Sequence, residues 1–217
     1  FNINGFWTKY DNYQIQSRDT TSGTLPVIRT FAIGKVETKG VELSTSLQAT
    51  TALRLDFNAS YTKAEIKEYK NAPCYTGQQA AQGCVNSVQD LSGADMPEAP
   101  QWKYTAAADY TIFLPSLPFD ANFGAFYRYQ SKMHFDVFND PNTEQNGYGV
   151  TNIYAGINSH DDLYRVQLFV NNVFDKHYYT NLYSDPVLYN FGGPVIISTL
   201  DRNAFRYAGI RFDAKFK

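Results

Sequence analysis

Residues Leu53 to Tyr61 read LRLDFNASY. Leu53, Leu55, Phe57, Ala59 and Tyr61 are apolar or aromatic, and Arg54, Asp56, Asn58 and Ser60 between them are polar. A strict period of two puts one residue class on each face of an extended strand, whereas a helix would repeat its apolar positions every three to four residues. The same alternation recurs along the chain. Phe119, Ala121, Phe123, Ala125 and Tyr127 oppose Asp120, Asn122, Gly124 and Arg128, with Phe126 an aromatic exception on the polar side. Tyr164, Val166, Leu168 and Val170 oppose Arg165 and Gln167. Ala208, Ile210, Phe212, Ala214 and Phe216 oppose Gly209, Arg211, Asp213 and Lys215. Val41 to Leu47 and Trp102 to Ile112 repeat the pattern with Thr and Ser mixed in.

The pattern predicts an all-β chain of eight strands, roughly Phe1 to Gln16, Val27 to Ala49, Ala52 to Lys67, Gln101 to Leu114, Phe119 to Lys132, Tyr148 to Asn158, Leu163 to Phe174 and Asn203 to Phe216. Connections alternate in length. Short turns fall at Thr50 and Thr51, at Pro115 to Pro118 and at Ser159 to Asp162, where Pro, Ser and Asp are turn formers. Long ones fall at Ser17 to Pro26, Glu68 to Pro100, Met133 to Gly147 and Asp175 to Arg202. One end of the sheet is trimmed and the other elaborated, as in outer-membrane barrels.

Composition removes several function classes. Lys+Arg 19 against Asp+Glu 21 gives a net charge of −2, so the basic field of a nucleic-acid binder is missing. The chain opens FNINGFWTKY, without the basic and apolar regions of a signal peptide, and is expected to be a cut or processed end. The most apolar stretch, Phe191 to Leu200, is about half the ~20 residues of a membrane-spanning helix and contains Gly192, Gly193 and Pro194. A β-barrel needs only about 9 to 11 residues per crossing, because its backbone is satisfied between strands. His134, His160 and His177 lie in separate connections with no metal-ligand spacing, and no nucleophile elbow or paired acid and base marks an enzyme. No cofactor cradle is present, since Gly192 and Gly193 precede Pro194 and no helix follows. Cys74 and Cys84, in the longest connection, are expected to form a structural disulfide rather than a ligand or redox pair.

Alternation alone leaves open which face is wet. A soluble lipocalin-like carrier or a sandwich would alternate too, and so would a self-sufficient eight-stranded membrane barrel acting as an anchor or adhesin. Three features favour the membrane barrel. Full charges sit at mid-strand on the polar face: Arg54, Asp56, Asp109, Arg128, Arg165, Arg211 and Asp213. Trp7, Tyr10, Tyr61, Trp102, Tyr110, Tyr127, Tyr129, Tyr178 and Tyr179 cluster near strand ends, as interfacial rings do. The first strand begins in mid-pattern, which leaves an unpaired edge.

Four stretches carry a family resemblance. They are Gly34 to Glu42 (GKVETKGVE), Met96 to Trp102 (MPEAPQW), Val170 to Tyr178 (VNNVFDKHY) and Phe205 to Phe216. In order and spacing they resemble the C-terminal barrel segment of TonB-dependent outer-membrane receptors. That resemblance implies an antiparallel transmembrane β-barrel segment, the last eight strands of a 22-stranded barrel, with residues 1–217 a single domain piece and the plug absent. It implies residence in the bacterial outer membrane, contact with outer-membrane lipid, and uptake of a scarce nutrient, most often a ferric siderophore. Coupling to the TonB complex would run through the N-terminal part.

On that reading Arg54, Asp56, Asp109, Arg128, Arg165, Arg211 and Asp213 line the lumen, where they guide a polar solute, contact a plug or simply pair with one another. Tyr75, Gln78, Phe135, Phe138, Tyr183 and Tyr189, with Gln79, Asn139 and Asn190 beside them, are the loop residues able to stack on and hydrogen-bond an outside ligand. Packing within the loops would use the same residue types.

Overall fold

The computed structural model describes residues 1–19, 27–189 and 192–216. Residues 20–26 of the first expected long connection, and Asn190, lie outside the described residues. Eight long strands form one sheet in sequence order: β1 (Asn2–Asp19), β2 (Val27–Gln48), β3 (Leu53–Glu68), β4 (Trp102–Ile112), β5 (Phe119–Gln130), β6 (Tyr148–Ser159), β7 (Tyr164–Asn171) and β8 (Tyr207–Ala214). Every neighbouring pair is antiparallel. Among the described residues β1 pairs only with β2 and β8 only with β7, so this is an open barrel segment rather than a closed eight-stranded barrel.

Directly opposed residues share a face, so the register sorts side chains without ambiguity. Leu55, Ala108 and Ala125 lie in one outward row, and Phe57, Ala106 and Tyr127 in the next. Ile3, Val41, Leu55, Phe57, Phe123, Ile153, Leu168 and Ile210 are large, apolar and exposed, and all point to this face. Near its loop end Tyr61 packs on Trp102 at 4.8 Å between centroids, and Tyr104 stacks on Tyr129 at 4.7 Å. Amphipathic rings bordering an apolar band are the anatomy of a membrane interface.

The opposite face carries the charges. Arg54 lies opposite Asp109, Arg128 opposite Thr105, Arg165 opposite Asp213 and Arg211 opposite Gln167. Where this inner wall bends most closely, rings lie over glycines. Tyr154 lies across Gly124 and donates its hydroxyl to Asp109, and a Cβ on Gly209 would meet Phe169 at 2.6 Å.

Alternation is reset once. Asn12 adopts a left-handed φ of 53° and the β2–β3 register shifts between Lys35 and Val36. Beyond that point Tyr13, Ile15, Phe31 and Ile33 join Val36 in one apolar cluster, although parity would have separated them. Ser17 to Asp19, expected in the first long connection, instead continue β1 by pairing with Val27 to Arg29, and two other strand ends differ from the expected ones for local reasons. β7 stops at Asn171 because Asn172 turns left-handed (φ 52°), and β8 starts only at Tyr207 because Arg202–Ala204 form a 3-10 turn capped by Asp201.

Gly124→Ala is expected to cost about 1–3 kcal/mol through overpacking against the Tyr154 ring. In a Tyr154→Ala background the same substitution should become nearly neutral. Urea unfolding of the protein refolded into vesicles, run as a double-mutant cycle, measures both.

Candidate functional site

Three long connections rise from one end of the sheet and fold over its inner face. The link is visible in parity: Val36, Ala64 and Ile66 share the face of Asp56 and Arg54, and on them pack Ala72, Leu91 and Met96 of the β3–β4 loop with Val137 and Phe138 of the β5–β6 loop. Phe31 meets Phe138 edge to face at 5.1 Å. The β7–β8 loop covers the neighbouring wall, where Tyr178 stacks on Tyr148 at 4.2 Å and receives a hydrogen bond from Arg128. Tyr178 is therefore an inner-wall residue and not part of the membrane belt.

Each loop is tied down by polar contacts of its own. Cys74 and Cys84 form a disulfide (S–S 2.06 Å) that closes the tip of a small ladder between Ala72–Pro73 and Val88–Gln89. Gln89 donates to Pro73 O at 2.8 Å and to Phe138 O at 2.9 Å, joining two loops, while Gln78 donates to the Gln89 side chain at 3.0 Å. Asp140 accepts from Asn142 N at 2.9 Å and from the Ser184 hydroxyl, joining the second loop to the third. Tyr179 N donates to Gln145 Oε1 at 2.8 Å across the same seam.

The buried Asn172 holds the base of the third loop. Its side chain accepts from Lys176 N at 2.8 Å and donates to Lys176 O at 3.0 Å, and Asp175 accepts from Arg206 N at 2.8 Å. The VNNVFDKHY stretch is thus a corner that ends β7 and aims the chain into β8.

Where the three loops meet, a cavity of about 190 Å³ opens beside the end of β1. Tyr75, Thr76, Phe135, Asp136, Asp140 and Tyr183 line it, together with the buried edge of Phe138. Four expected ligand residues, Tyr75, Phe135, Phe138 and Tyr183, therefore come together from segments more than a hundred residues apart in sequence. Phe138 is only 2 % exposed and mainly serves the loop core. Gln78 bonds within its own loop, and Tyr189 lies against Gly77, outside the cavity wall. Asp136, Asp140 and Thr76 are among the wall residues that sequence reasoning missed, with Gln16, Ser17, Asn181, Leu182 and Ser184, since nothing in the local pattern of the first three separates them from ordinary turn formers.

Burial lifts the Asp136 carboxyl to about 6, helped by the nearby Asp140 and opposed by backbone N–H groups of Val137, Phe138 and Asp140. Burial also raises the Tyr75 hydroxyl, with Asp140 adding to the effect. The Thr76 hydroxyl is buried without a hydrogen-bond partner among the described residues. Among the described residues the wall is made of rings, hydroxyls, the amides of Gln16 and Asn181 and two carboxylates, without a cationic side chain, and is suited to stacking and hydrogen bonding. Among the described residues no group of three or more His, Cys, Asp or Glu is placed to hold a metal ion. His160 pairs with Asp120 and His177 with Asp175, while burial lowers the His134 pKa.

The inner-face charges are partly satisfied by one another. Arg54 makes two bonds to Asp56 at 3.0 and 3.1 Å, Arg165 donates to Asn158 at 3.0 Å, and Arg128 is held over the Tyr178 ring at 5.2 Å. A trough of about 530 Å³ crosses this wall past Asn4, Ser44, Asn58, Lys103 and Arg128.

An open antiparallel sheet with an apolar outer band, a polar inner wall and infolded loops defines a segment of a large outer-membrane barrel. The chain matches the TonB dependent receptor-like β-barrel family over residues 1–173 and belongs to that family. Its fold is similar to that of the ferric yersiniabactin uptake receptor FyuA of Yersinia pestis, with TM-score 0.71 and 17 % identity over 99 % of this chain and 27 % of that one. It is likewise similar to the siderophore receptor PiuA of Acinetobacter baumannii (TM-score 0.62, 22 % identity, 97 % and 25 % covered). A third is the ferripyoverdine receptor of the Pseudomonas aeruginosa outer membrane (TM-score 0.52, 19 % identity, 97 % and 24 % covered). The chain spans about a quarter of the length of these receptors. Its place is the outer membrane of a Gram-negative bacterium, in a family of transport receptors rather than enzymes.

Two expectations follow for the loop bundle. Cys74→Ser with Cys84→Ser should raise amide exchange across residues 72–99 while leaving β4 to β8 protected, a local loss of about 2–4 kcal/mol. The folded Asp136 carboxyl keeps its proton up to about 6, whereas the unfolded chain gives it up near 3.8. Its contribution is therefore full below the unfolded value and is lost as pH rises through the folded one, on the order of 2–3 kcal/mol. Exchange of residues 131–147, corrected for intrinsic rates, should be slower at about pH 5 than at about pH 7.5, and Asp136→Asn should abolish the difference.

Proposed function

We propose that this chain is a wall-and-loop segment of a single barrel domain in a TonB-dependent receptor that imports a scarce nutrient, a ferric siderophore being the substrate class. The observation that carries the reading is the convergence of Tyr75, Phe135 and Tyr183, from three separate loops, on one cavity above the inner wall. Aromatic rings held by a scaffold present contact area with little entropy left to lose on binding. The uptake receptors named above, which share this fold, support the substrate class.

In this reading the loops capture the chelate from outside. Arg54, Asp56, Asp109, Arg128, Arg165, Arg211 and Asp213 line the route below. Polar and charged groups on that wall keep the lumen hydrated and give a descending solute hydrogen-bond partners at each level. The energised step belongs to the TonB complex acting on the N-terminal part of the receptor, so substitutions in this segment alter ligand affinity or barrel stability and leave TonB engagement intact.

Titration of the full-length receptor with ferric siderophores, followed by quenching of its intrinsic fluorescence, tests this. Tyr75→Ala and Tyr183→Ala should each weaken binding by roughly tenfold or more, equivalent to about 1.4 kcal/mol. Tyr110→Ala, on the outward face, should not. Binding of the soluble TonB domain should be unchanged in all three. Equal chelate affinity in the wild type and both loop variants would remove these loops from the binding site.

A further inference from the structure

The inner wall of β5 to β8 holds aromatic rings that a hydrated lumen does not call for. Phe126, the exception to the alternation of β5, lies opposite Asn152, Tyr154 lies opposite Phe169, and Tyr207 lies opposite Asn171. By register all four rings share the face of Asp109 and Arg211. Local packing accounts for two of them, since Tyr154 and Phe169 lie over Gly124 and Gly209. Phe126 has Asn152 and Ala107 as its direct neighbours, no glycine to cover, and is 38 % exposed.

The four rings wall a hollow of about 330 Å³, and Arg202 and Arg211 complete it. The 3-10 turn that delays β8 brings Arg202 down from the loop, with Cζ 4.1 Å from the Tyr207 ring centroid. Arg211 stands four residues after Tyr207 on the same face. No carboxylate is among the lining residues. The acids of the surroundings are engaged elsewhere or lie off the hollow. Asp201 caps the turn through Asn203 N at 2.7 Å, Asp175 accepts from Arg206 N at 2.8 Å, Asp109 takes the Tyr154 hydroxyl, and Asp56 holds Arg54. Asp213 sits one row further down, opposite Arg165, and lines a separate hollow with Lys215. Among the described residues neither Arg202 nor Arg211 has an ion-pair partner.

Two guanidiniums without counter-ions, set among ring faces, combine the two contacts that an aromatic acid uses. A planar ring stacks on rings, and a carboxylate takes the parallel N–H donors of an arginine fork. A bare inorganic anion would use only the forks, and a neutral ring only the stacking. We propose that this hollow is a second ligand station on the transport route, built for an aromatic ring that carries a carboxylate. The station rests on the reading of the inner wall as the route below the loop cavity, and adds the chemical class that is held there. Arg202 and Arg211 donate to the carboxylate, while Phe126 and Tyr207 cover the ring. The station shares no wall residue with the loop cavity, so the two bind independently.

The test uses the full-length receptor in detergent, with fluorine NMR following saturable binding of para-fluorobenzoate. Para-fluorobenzyl alcohol keeps the ring and drops the charge, and trifluoroacetate keeps the charge and drops the ring. Both should bind at least about tenfold more weakly than fluorobenzoate. Arg202→Gln, on an exposed turn, should weaken fluorobenzoate by about tenfold or more, and adding Arg211→Gln should abolish its saturable binding. Lys70→Gln, an equal change of charge on the exposed part of the β3–β4 loop, should leave it unchanged. Should the double variant fold poorly, Arg202→Gln alone and the comparison of the three probes on the wild type still decide. Equal binding of the three probes would overturn the station, as would a fluorobenzoate affinity that survives both arginine variants. Loss of fluorobenzoate binding in Tyr183→Ala would also overturn it, because the probe would then sit in the loop cavity. None of these results touches the chelate titration of the loop variants, so failure of the station and failure of the import reading are told apart.

Discussion

A backbone amide left unpaired in hydrocarbon costs several kcal/mol, and no water is there to relieve it. This demand organises the whole chain. It fixes the antiparallel ladder from β1 to β8, and the ladder fixes which residues share a face. The faces in turn decide that Leu55 lies in the apolar outer band while Arg54, one residue earlier, lies on the charged face. The two outer edges of the sheet carry the same demand, which a closed barrel of more strands satisfies. Charge, aromatic placement and loop docking are all consequences written on a frame that hydrogen bonding has already set.

Because the frame has a period of two, most of it was legible in the sequence. LRLDFNASY and its repeats placed all eight strands, and the parity of the seven inner-face charges agrees with the register. Legibility failed where a residue breaks parity for reasons outside its own strand. Asn12 accepts a left-handed turn that most residues resist, and the shift at Lys35 and Val36 lets both Ile33 and Val36 point into the loop core. No local pattern announces such a reset, since the reward for it lies in Leu91 and Phe138, more than fifty residues away. The corner at Asn172 is the opposite case. Its motif was readable as a motif, but its work, closing one strand and aiming the next through side-chain bonds to Lys176 and Asn203, emerges only in three dimensions.

Loops have no period, so the sequence could supply residue types but not their use. Tyr75, Phe135 and Tyr183 reach one cavity, whereas Phe138 and Gln78, chemically as eligible, are consumed by packing and by the Gln89 network. Tyr178 misled for a related reason. A tyrosine near a strand end suits a membrane belt, but the turn at Asp175 (φ 52°) carries this one inward onto Tyr148 and Arg128. The disulfide was legible because two cysteines in one short excursion leave only one pairing. What it positions was not.

A receptor that captures a dilute ligand gains from loops that are ordered before the ligand arrives, since ordering them afterwards would be charged against affinity. The bundle here is ordered by three independent means: a shared apolar core, hydrogen bonds that join successive loops, and a covalent closure of the first loop. The first of these does not rest on the loops alone. The core is founded on Val36, Ala64 and Ile66, inner residues of strands whose outer residues at the same height are Glu37, Lys63 and Glu65. A single stretch of sheet thus holds the loops on one side and carries charged side chains on the other. The footing of the loops on the inside and the charged rows on the outside belong to the same few segments of β2 and β3, so whatever stiffens one stiffens the other.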